Sequence, residues 1–490
     1  MALSKTQIHT LIAFVAGALI YFFVPATNGL THQCVSLLAV FLPTVYLWLA
    51  VGTGWTSLLS VTMAVMLMAA NGISAFGTLW GSIVVCAIIP FMMVAGVLEE
   101  SGSFHWIVNW FISRKFVHGR PTLFMIMYTI AMVIISIFTA PQVVSVLFLS
   151  VLTNVCQTIG YDRNSAFYRA HGLLVGWVAQ MCDGVLIWGR PYVLACVGVV
   201  VGLGFANFTA MDYLMIAGIY LAIAVVAALL IVKFVIRPDV SKFENYDDAA
   251  IREDLKNHPI SKAGKISIIG MVFILVCYAL AYMSFLGGIA SYFTAITIAA
   301  PVSLVAAIMC VVSANGKPVM DLNKSLAKVP WSMIVFLGAI MFFAGNLNGK
   351  DYGITVCLTN LLSPIVSSIP LVATIAIGLI VAAAVTNFCS NTVSAVAALS
   401  AFVPAMLGSG TDPVSVLAFC CCVIALCGTA FATPAAAPTM AIIYSDTGIE
   451  YKGTAKYSVL LIAIMVVVSI CLLMPFCGNL IAGAAVVAAA

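Results

Sequence analysis

Apolar runs of about twenty residues recur along the whole chain between short polar breaks, and that is the length a helix needs to cross ~30 Å of hydrocarbon. They predict spans near 8–24, 33–50, 55–70 and 81–98, followed by an amphipathic stretch at 103–117 suited to the membrane interface. A long segment at 122–157 carries Pro141 near its middle, 168–204 is interrupted around Asp183–Pro191, and 212–236 is unbroken. After a polar stretch at 237–265 the order returns. Spans at 266–284, 289–313 and 331–348 precede a surface stretch at 353–366. Then come a segment at 370–408 centred on Asn387–Thr392, one at 413–445 broken around Thr433–Pro438, and a last span at 455–475. The first run, Ile8 to Val24 after Lys5, is long for a signal-peptide core and lacks a small-x-small cleavage pattern, so it reads as a retained span.

Laid side by side, the two halves correspond. The Pro141 segment matches the Asn391 segment, and the break at Gly189-Arg190-Pro191 matches the break at Ala437-Pro438. The organisation read from this is a first helix (1–32), a first repeat (33–236), a cytoplasmic polar linker (237–265) and a second repeat (266–490). Charge then orients it. With the N-terminus inside and 122–157 and 370–408 as re-entrant hairpins, eighteen of the twenty Lys and Arg residues fall on the cytoplasmic side, as the positive-inside rule demands. Only Lys350 lies outside, and Arg190 lies within the membrane. The expected fold class is therefore an all-α polytopic membrane protein with about eleven transmembrane helices, two re-entrant hairpins and two inverted repeats, its C-terminus outside.

Composition agrees. Hydrophobic residues make up 64% of the chain and charged ones 7%, against roughly 25% charged in a soluble domain. The net charge of +4 comes from bases scattered through membrane loops, so the bilayer, not nucleic acid, is the expected partner. The 15 cysteines lie mostly in apolar segments and show no zinc-like spacing, so no metal cluster and no disulfide framework are expected.

The candidate chemistry sits at the breaks. Backbone that leaves helical geometry in hydrocarbon must find partners, and one isolated proline can simply kink a helix. Four breaks in matching places instead bring half-helix ends together, where N-termini attract anions and freed carbonyls bind cations. In Thr386-Asn387-Phe388-Cys389-Ser390-Asn391-Thr392, hydroxyls and amides offer hard neutral oxygens suited to Na⁺. The alternative is ordinary interhelical hydrogen bonding, worth ~0.6–2 kcal/mol per bond. Asp183 and Arg190 are the clear charges at mid-membrane depth, which mark a pathway or binding site. They either close the break as a salt bridge or divide the work. In the second case Arg190 grips a carboxylate in a forked contact, while Asp183 holds a cation, takes up a coupling proton or meets a substrate ammonium. Glu99 and Glu100 read as a solvated helix end, and His171 as interfacial.

Ser390-Asn391-Thr392, followed by VSAVAALSAFVP, resembles the Ser-Asn-Thr signature at a re-entrant hairpin tip in the divalent anion:sodium symporter family of the ion-transporter superfamily. The stretch Pro434 to Tyr444 is similar to that family's Pro-x-x-Thr-Pro-Pro-Asn-Ala-x-x-Tyr in the partner broken helix. The order from Phe336–Gly353 through hairpin to broken helix also follows the family, over nearly the whole chain. The resemblance implies inverted repeats, a homodimer, an elevator-like movement and Na⁺-coupled uptake of dicarboxylate, citrate or sulfate. It places Na⁺ at Asn387, Ser390, Asn391, Thr392, Thr433 and Ala437. Combined with the intramembrane charges Arg190 and Asp183, it puts the substrate at those two residues and at Ser390, Asn391, Thr392, Thr139, Gln142 and Thr439. The departures are specific. The first hairpin reads Thr139-Ala140-Pro141-Gln142 with no Asn, Ala437 stands where the family has Thr, and Thr439-Met440 where it has Pro-Asn. Arg190 lies near the family's Thr. One recognisable cation site beside an unusual substrate site is the expectation.

The function expected is a secondary active transporter of a small organic anion, Na⁺-coupled, in the cell membrane of a bacterium (its inner membrane). The alternative is proton coupling or exchange, of a carboxylate or a zwitterion, with Asp183 titrating. Internal two-fold repeats with hairpins favour alternating access over a channel. No H-E-x-x-H and no Gly-x-Ser-x-Gly occurs, which speaks against a membrane-embedded enzyme.

Overall fold

The computed structural model describes residues 4–27, 30–187, 191–245, 249–257, 259–282, 286–347, 364, 366, 368–388, 390–434, 436–446 and 448–485. Helix α1 (Lys5–Phe23) opens on a capping box between Ser4 and Gln7. The first repeat follows as α2 (His32–Ala50), α3 (Gly54–Met66), α4 (Gly72–Gly81), α5 (Ile83–Glu100), α6 (Ser103–Ile112), α7 (Pro121–Ser136), α8 (Pro141–Ile159), α9 (Ala166–Val185), α10 (Pro191–Gly202) and α11 (Ala210–Leu230). The linker holds a short 3₁₀ turn, Ser241–Asn245, and α12 (Ala249–Asn257). The second repeat begins with α13 (Lys262–Tyr282), α14 (Gly288–Ile296), α15 (Ala299–Val311), α16 (Leu322–Lys328) and α17 (Trp331–Leu347). It continues as α18 (Leu371–Thr386), α19 (Asn391–Gly408), α20 (Pro413–Cys427), α21 (Pro438–Ser445), α22 (Tyr451–Val468) and α23 (Met474–Ile481).

Among the described residues seven helices are long and apolar enough to cross a membrane, or nine when each bent pair counts as one. Two of the seven, α8 and α19, are arms of the expected hairpins. Shorter apolar helices include α2, α3 and the halves α10 and α20 of the two broken helices. The span expected near 55–70 is shorter. The chain reverses at Met68, whose φ is 56°, and Asn71 caps α4 by accepting from the backbone N–H groups of Ile73 and Ser74 (3.0 and 3.3 Å). The single span expected at 289–313 bends by 70° between α14 and α15. The surface stretch expected at 353–366 lies almost wholly outside the described residues.

The pairing of helices repeats. α8 lies on α9 as α19 lies on α20, α7 on α9 as α18 on α20, α8 on α21 as α19 on α10, and α5 on α15 as α17 on α3. Buried side chains fall into two large cores. One joins α6–α11 to α18–α23, and the other joins α2–α5 to α13–α17. Phe138 and Ile298 touch both.

Lys242 Nζ donates to the Gly160 carbonyl (2.8 Å), Lys328 pairs with Glu100, and Tyr168 at the start of α9 donates to Asp446 Oδ2 (2.8 Å) at the end of α21. α9 therefore starts from the face toward which α21 runs. The chain reaches α21 through α20, which enters from the opposite face, and that is the inversion the charge pattern called for.

One expectation needs correction here. The polar linker is not wholly solvated. Phe243 is fully buried, its ring 5.2 Å from Phe124 and 5.9 Å from Phe167, and the Lys242 N–H donates to the Tyr161 hydroxyl (3.0 Å). One aromatic residue in a polar stretch is enough to plug the base of the first hairpin. Phe243→Ala is expected to cost about 3–5 kcal/mol, visible as a lower thermal midpoint of the purified protein. His171, near the start of α9, is buried against Phe167 (ring centroids 4.1 Å), and its Nδ1 donates to the Phe167 carbonyl (2.9 Å).

Candidate functional site

The two broken helices meet end to end. Gly184 lies in the last turn of α9 and Gly428 caps α20. A Cβ on Gly184 would stand 2.6 Å from the Gly428 Cα, and a Cβ on Gly428 2.6 Å from the Gly184 Cα, so backbone touches backbone and only glycine fits. The carbonyls freed by the breaks need donors in hydrocarbon. Tyr213 donates to the Gly184 carbonyl and Tyr192 to the Ile424 carbonyl. Beyond the crossing α10 and α21 begin at Pro191 and Pro438, and the hairpin arms α8 and α19 begin at Pro141 and Asn391. Proline at the first helical position gives up an N–H that has no partner there anyway. Each of these helix N-termini, which favour anions, follows in the chain the C-terminal end of α7, α9, α18 or α20, which favours cations.

The structure fixes the register of the two hairpin tips, 137–140 and 387–390. Ile137 corresponds to Asn387, Phe138 to Phe388, Ala140 to Ser390, Pro141 to Asn391 and Gln142 to Thr392. Ala140 (φ −68°, ψ 150°) and Ser390 (φ −57°, ψ 133°) are both extended residues just before their helices. The first repeat therefore has Ala-Pro-Gln where the second has Ser-Asn-Thr. The equivalent aromatics differ in surroundings: Phe138 is wedged between the two cores, while Phe388 is 72% exposed.

The second tip is bonded into its broken helix. Thr386 Oγ1 donates to the Cys427 carbonyl (2.8 Å) and lies 3.1 Å from Asn391 Oδ1. Asn387 Nδ2 donates to the carbonyls of Ala383 (2.7 Å) and Thr429 (3.4 Å), and its Oδ1 accepts from the Ala432 N–H (2.7 Å). Thr433 Oγ1 donates to the Asn387 carbonyl (2.6 Å). Asn387, Asn391 and Thr433 are thus brought together, with Ser390 and Thr392 on the adjoining turn. The Ser390 hydroxyl makes no capping bond to its helix, and Ser394, one turn on, has a buried hydroxyl with no hydrogen-bond partner among the described residues. Uncommitted neutral oxygens at a helix break fit Na⁺. Ala437 is the buried, extended residue before α21.

The remaining expected residues are dispersed. Thr439 is buried, its hydroxyl without a partner among the described residues, on a helix that lies against α8 and α9. Thr139 lines a cavity of about 380 Å³ with Phe138, Glu99 and Lys328. Gln142 lines an adjoining groove that shares Glu99 with that cavity and includes His105. Asp183 is half-buried next to Gly184; Arg190 lies outside the described residues. Glu100 and Lys328 form their pair with more than half of each side chain exposed, the solvated helix end foreseen for that glutamate. Four residues of the centre were not singled out from sequence: Tyr192, Tyr213, Gly184 and Gly428. The only signal for the glycines was their place, each at the end of a long apolar run before a break.

Comparison with known proteins gives two findings. The profile of the family described as "Citrate transporter" matches residues 37–423, stopping short of the second break. Among solved structures the chain is similar to the Alcanivorax borkumensis YdaH transporter, at 12% identity and a TM-score of 0.53, covering 84% of this chain and 89% of that one. At that identity the likeness speaks for the fold. No curated protein sequence matches.

Proposed function

The chain belongs to the citrate transporter family, and on that premise we propose that it is a secondary transporter of carboxylates driven by a sodium gradient. The observation that carries the sodium reading is the second hairpin tip, bonded to the unwound stretch after α20 and led by Ser390, Asn391 and Thr392. In this reading Na⁺ binds among Ser390, Asn391, Thr392, Thr433 and the carbonyl of Ala437. The carboxylate binds at the helix N-termini across the crossing, with Arg190 as its forked partner and Thr139, Gln142, Thr439 and Asp183 around it. The two separate cores bridged at Phe138 and Ile298 support an elevator-type movement of one body against the other. A homodimer and a bacterial inner-membrane location complete the proposal.

Asp183, half-buried beside the crossing, favours a second reading, proton coupling. Uptake of labelled citrate, dicarboxylates and amino acids into proteoliposomes separates the two. Concentrative uptake with an inward Na⁺ gradient and none with choline is the expected result. Equal uptake under both sinks the sodium claim, and uptake driven by a pH gradient alone establishes the alternative.

A further inference from the structure

Asn387 ends α18 and is buried at the hairpin tip. Both ends of its amide are in use. Nδ2 serves two backbone carbonyls and Oδ1 faces the Ala432 N–H, while its own carbonyl accepts the Thr433 hydroxyl. Of these four partners, Ala383 is one turn back in the same helix. The other three, Thr429, Ala432 and Thr433, lie on the unwound stretch after α20. A single residue therefore ties two non-helical segments together across more than forty positions of chain. In the first repeat the same position is Ile137, which has no polar side-chain atom and half-faces the cavity at that tip.

We infer that Asn387 is a positioning residue of the cation half-site, not a ligand in it. Its bonds hold the hairpin tip against the break, and that clamp fixes how far Ser390, Asn391 and Thr392 stand from Thr433 and Ala437. The inference rests on the sodium-coupled reading above and moves one residue of the expected ligand set into a different role. The geometry supplies the reason. The amide oxygen is turned to the Ala432 N–H, which takes one of its two lone pairs and fixes its direction on the unwound stretch. The amide nitrogen carries only donors.

The two roles predict opposite signs for one substitution. Asn387→Asp keeps the size and the acceptor oxygen, removes both N–H donors, and sets a negative oxygen against the carbonyls of Ala383 and Thr429. A ligand given extra negative charge keeps or tightens its hold on Na⁺. A broken clamp loosens it. The half-saturating Na⁺ concentration for uptake is expected to rise about tenfold or more in both Asn387→Asp and Asn387→Ala, with a smaller effect on the maximal rate at saturating Na⁺. A value for Asn387→Asp at or below that of the unaltered protein overturns the inference. Hydrogen exchange of the purified proteins without Na⁺ provides a readout independent of coupling. Backbone amides around the tip and at 428–433 should exchange about tenfold faster in Asn387→Asp, with the rest of the chain unchanged, and unchanged exchange at both segments also overturns the inference. If uptake by the unaltered protein ignores sodium, the coupling reading falls, and the exchange comparison alone decides whether Asn387 clamps the tip.

Discussion

Gly428→Ala should cut uptake about tenfold or more, and Gly428→Val should abolish it and lower the thermal midpoint. The reason is the end-to-end crossing of the broken helices. The new Cβ would sit 2.6 Å from the Gly184 Cα and 3.0 Å from the Ala425 carbonyl oxygen, both backbone atoms that cannot swing aside as a side chain can. Overpacking a well-filled core by one or two methylenes costs about 1–3 kcal/mol, and here the strain falls where four half-helices must meet. Gly218, in the middle of α11, is the control. A Cβ there meets nothing within 4 Å, so Gly218→Ala should transport normally and gain slightly in helix propensity. Uptake measured per mole of monodisperse protein decides the matter. Normal uptake by Gly428→Ala would mean that the two breaks need not touch.

Arg190→Ala carries the other large effect. A charge-assisted contact to a carboxylate, once removed, costs about 2–5 kcal/mol at a desolvated site, or roughly thirtyfold to several thousandfold in affinity. Arg190→Lys should recover little of it, because an ammonium cannot reproduce the planar two-bond fork. The direct measurement is thermal stabilisation by added carboxylate, which follows occupancy. Sodium should still stabilise Arg190→Ala on its own, since the residues proposed to hold it are clustered at the second hairpin tip. Undiminished stabilisation by carboxylate in Arg190→Ala would remove this residue from the substrate site.

Much of the architecture was legible because the membrane enforces it. Hydrocarbon demands long apolar runs, punishes unpaired backbone and sorts positive charge, so the sequence alone marks the breaks at Pro141, Asn391, Pro191 and Pro438, where half-helices start. What stayed hidden depends on partners distant in sequence. Asn387 looked like one more oxygen in a polar tip, and only the positions of Thr429 and Ala432 show its amide committed. Phe243 looked like an incidental aromatic in a charged linker until Phe124 and Phe167 closed around it. His171, near a span end by count, is enclosed by the same aromatic group. Gly184 and Gly428 were two of 36 glycines, and nothing along the chain says that they face each other. The reach of α4 was missed because the turn at Met68 is made by a residue with no turn-forming character.

Phe138 and Phe388 are the same residue at the same register of two copied tips, yet one is wedged between the cores and the other is 72% exposed. The two side chains are identical, so the difference lies in the surroundings that each repeat supplies. Cysteine labels placed at the two positions should therefore react unequally, faster at 388 than at 138.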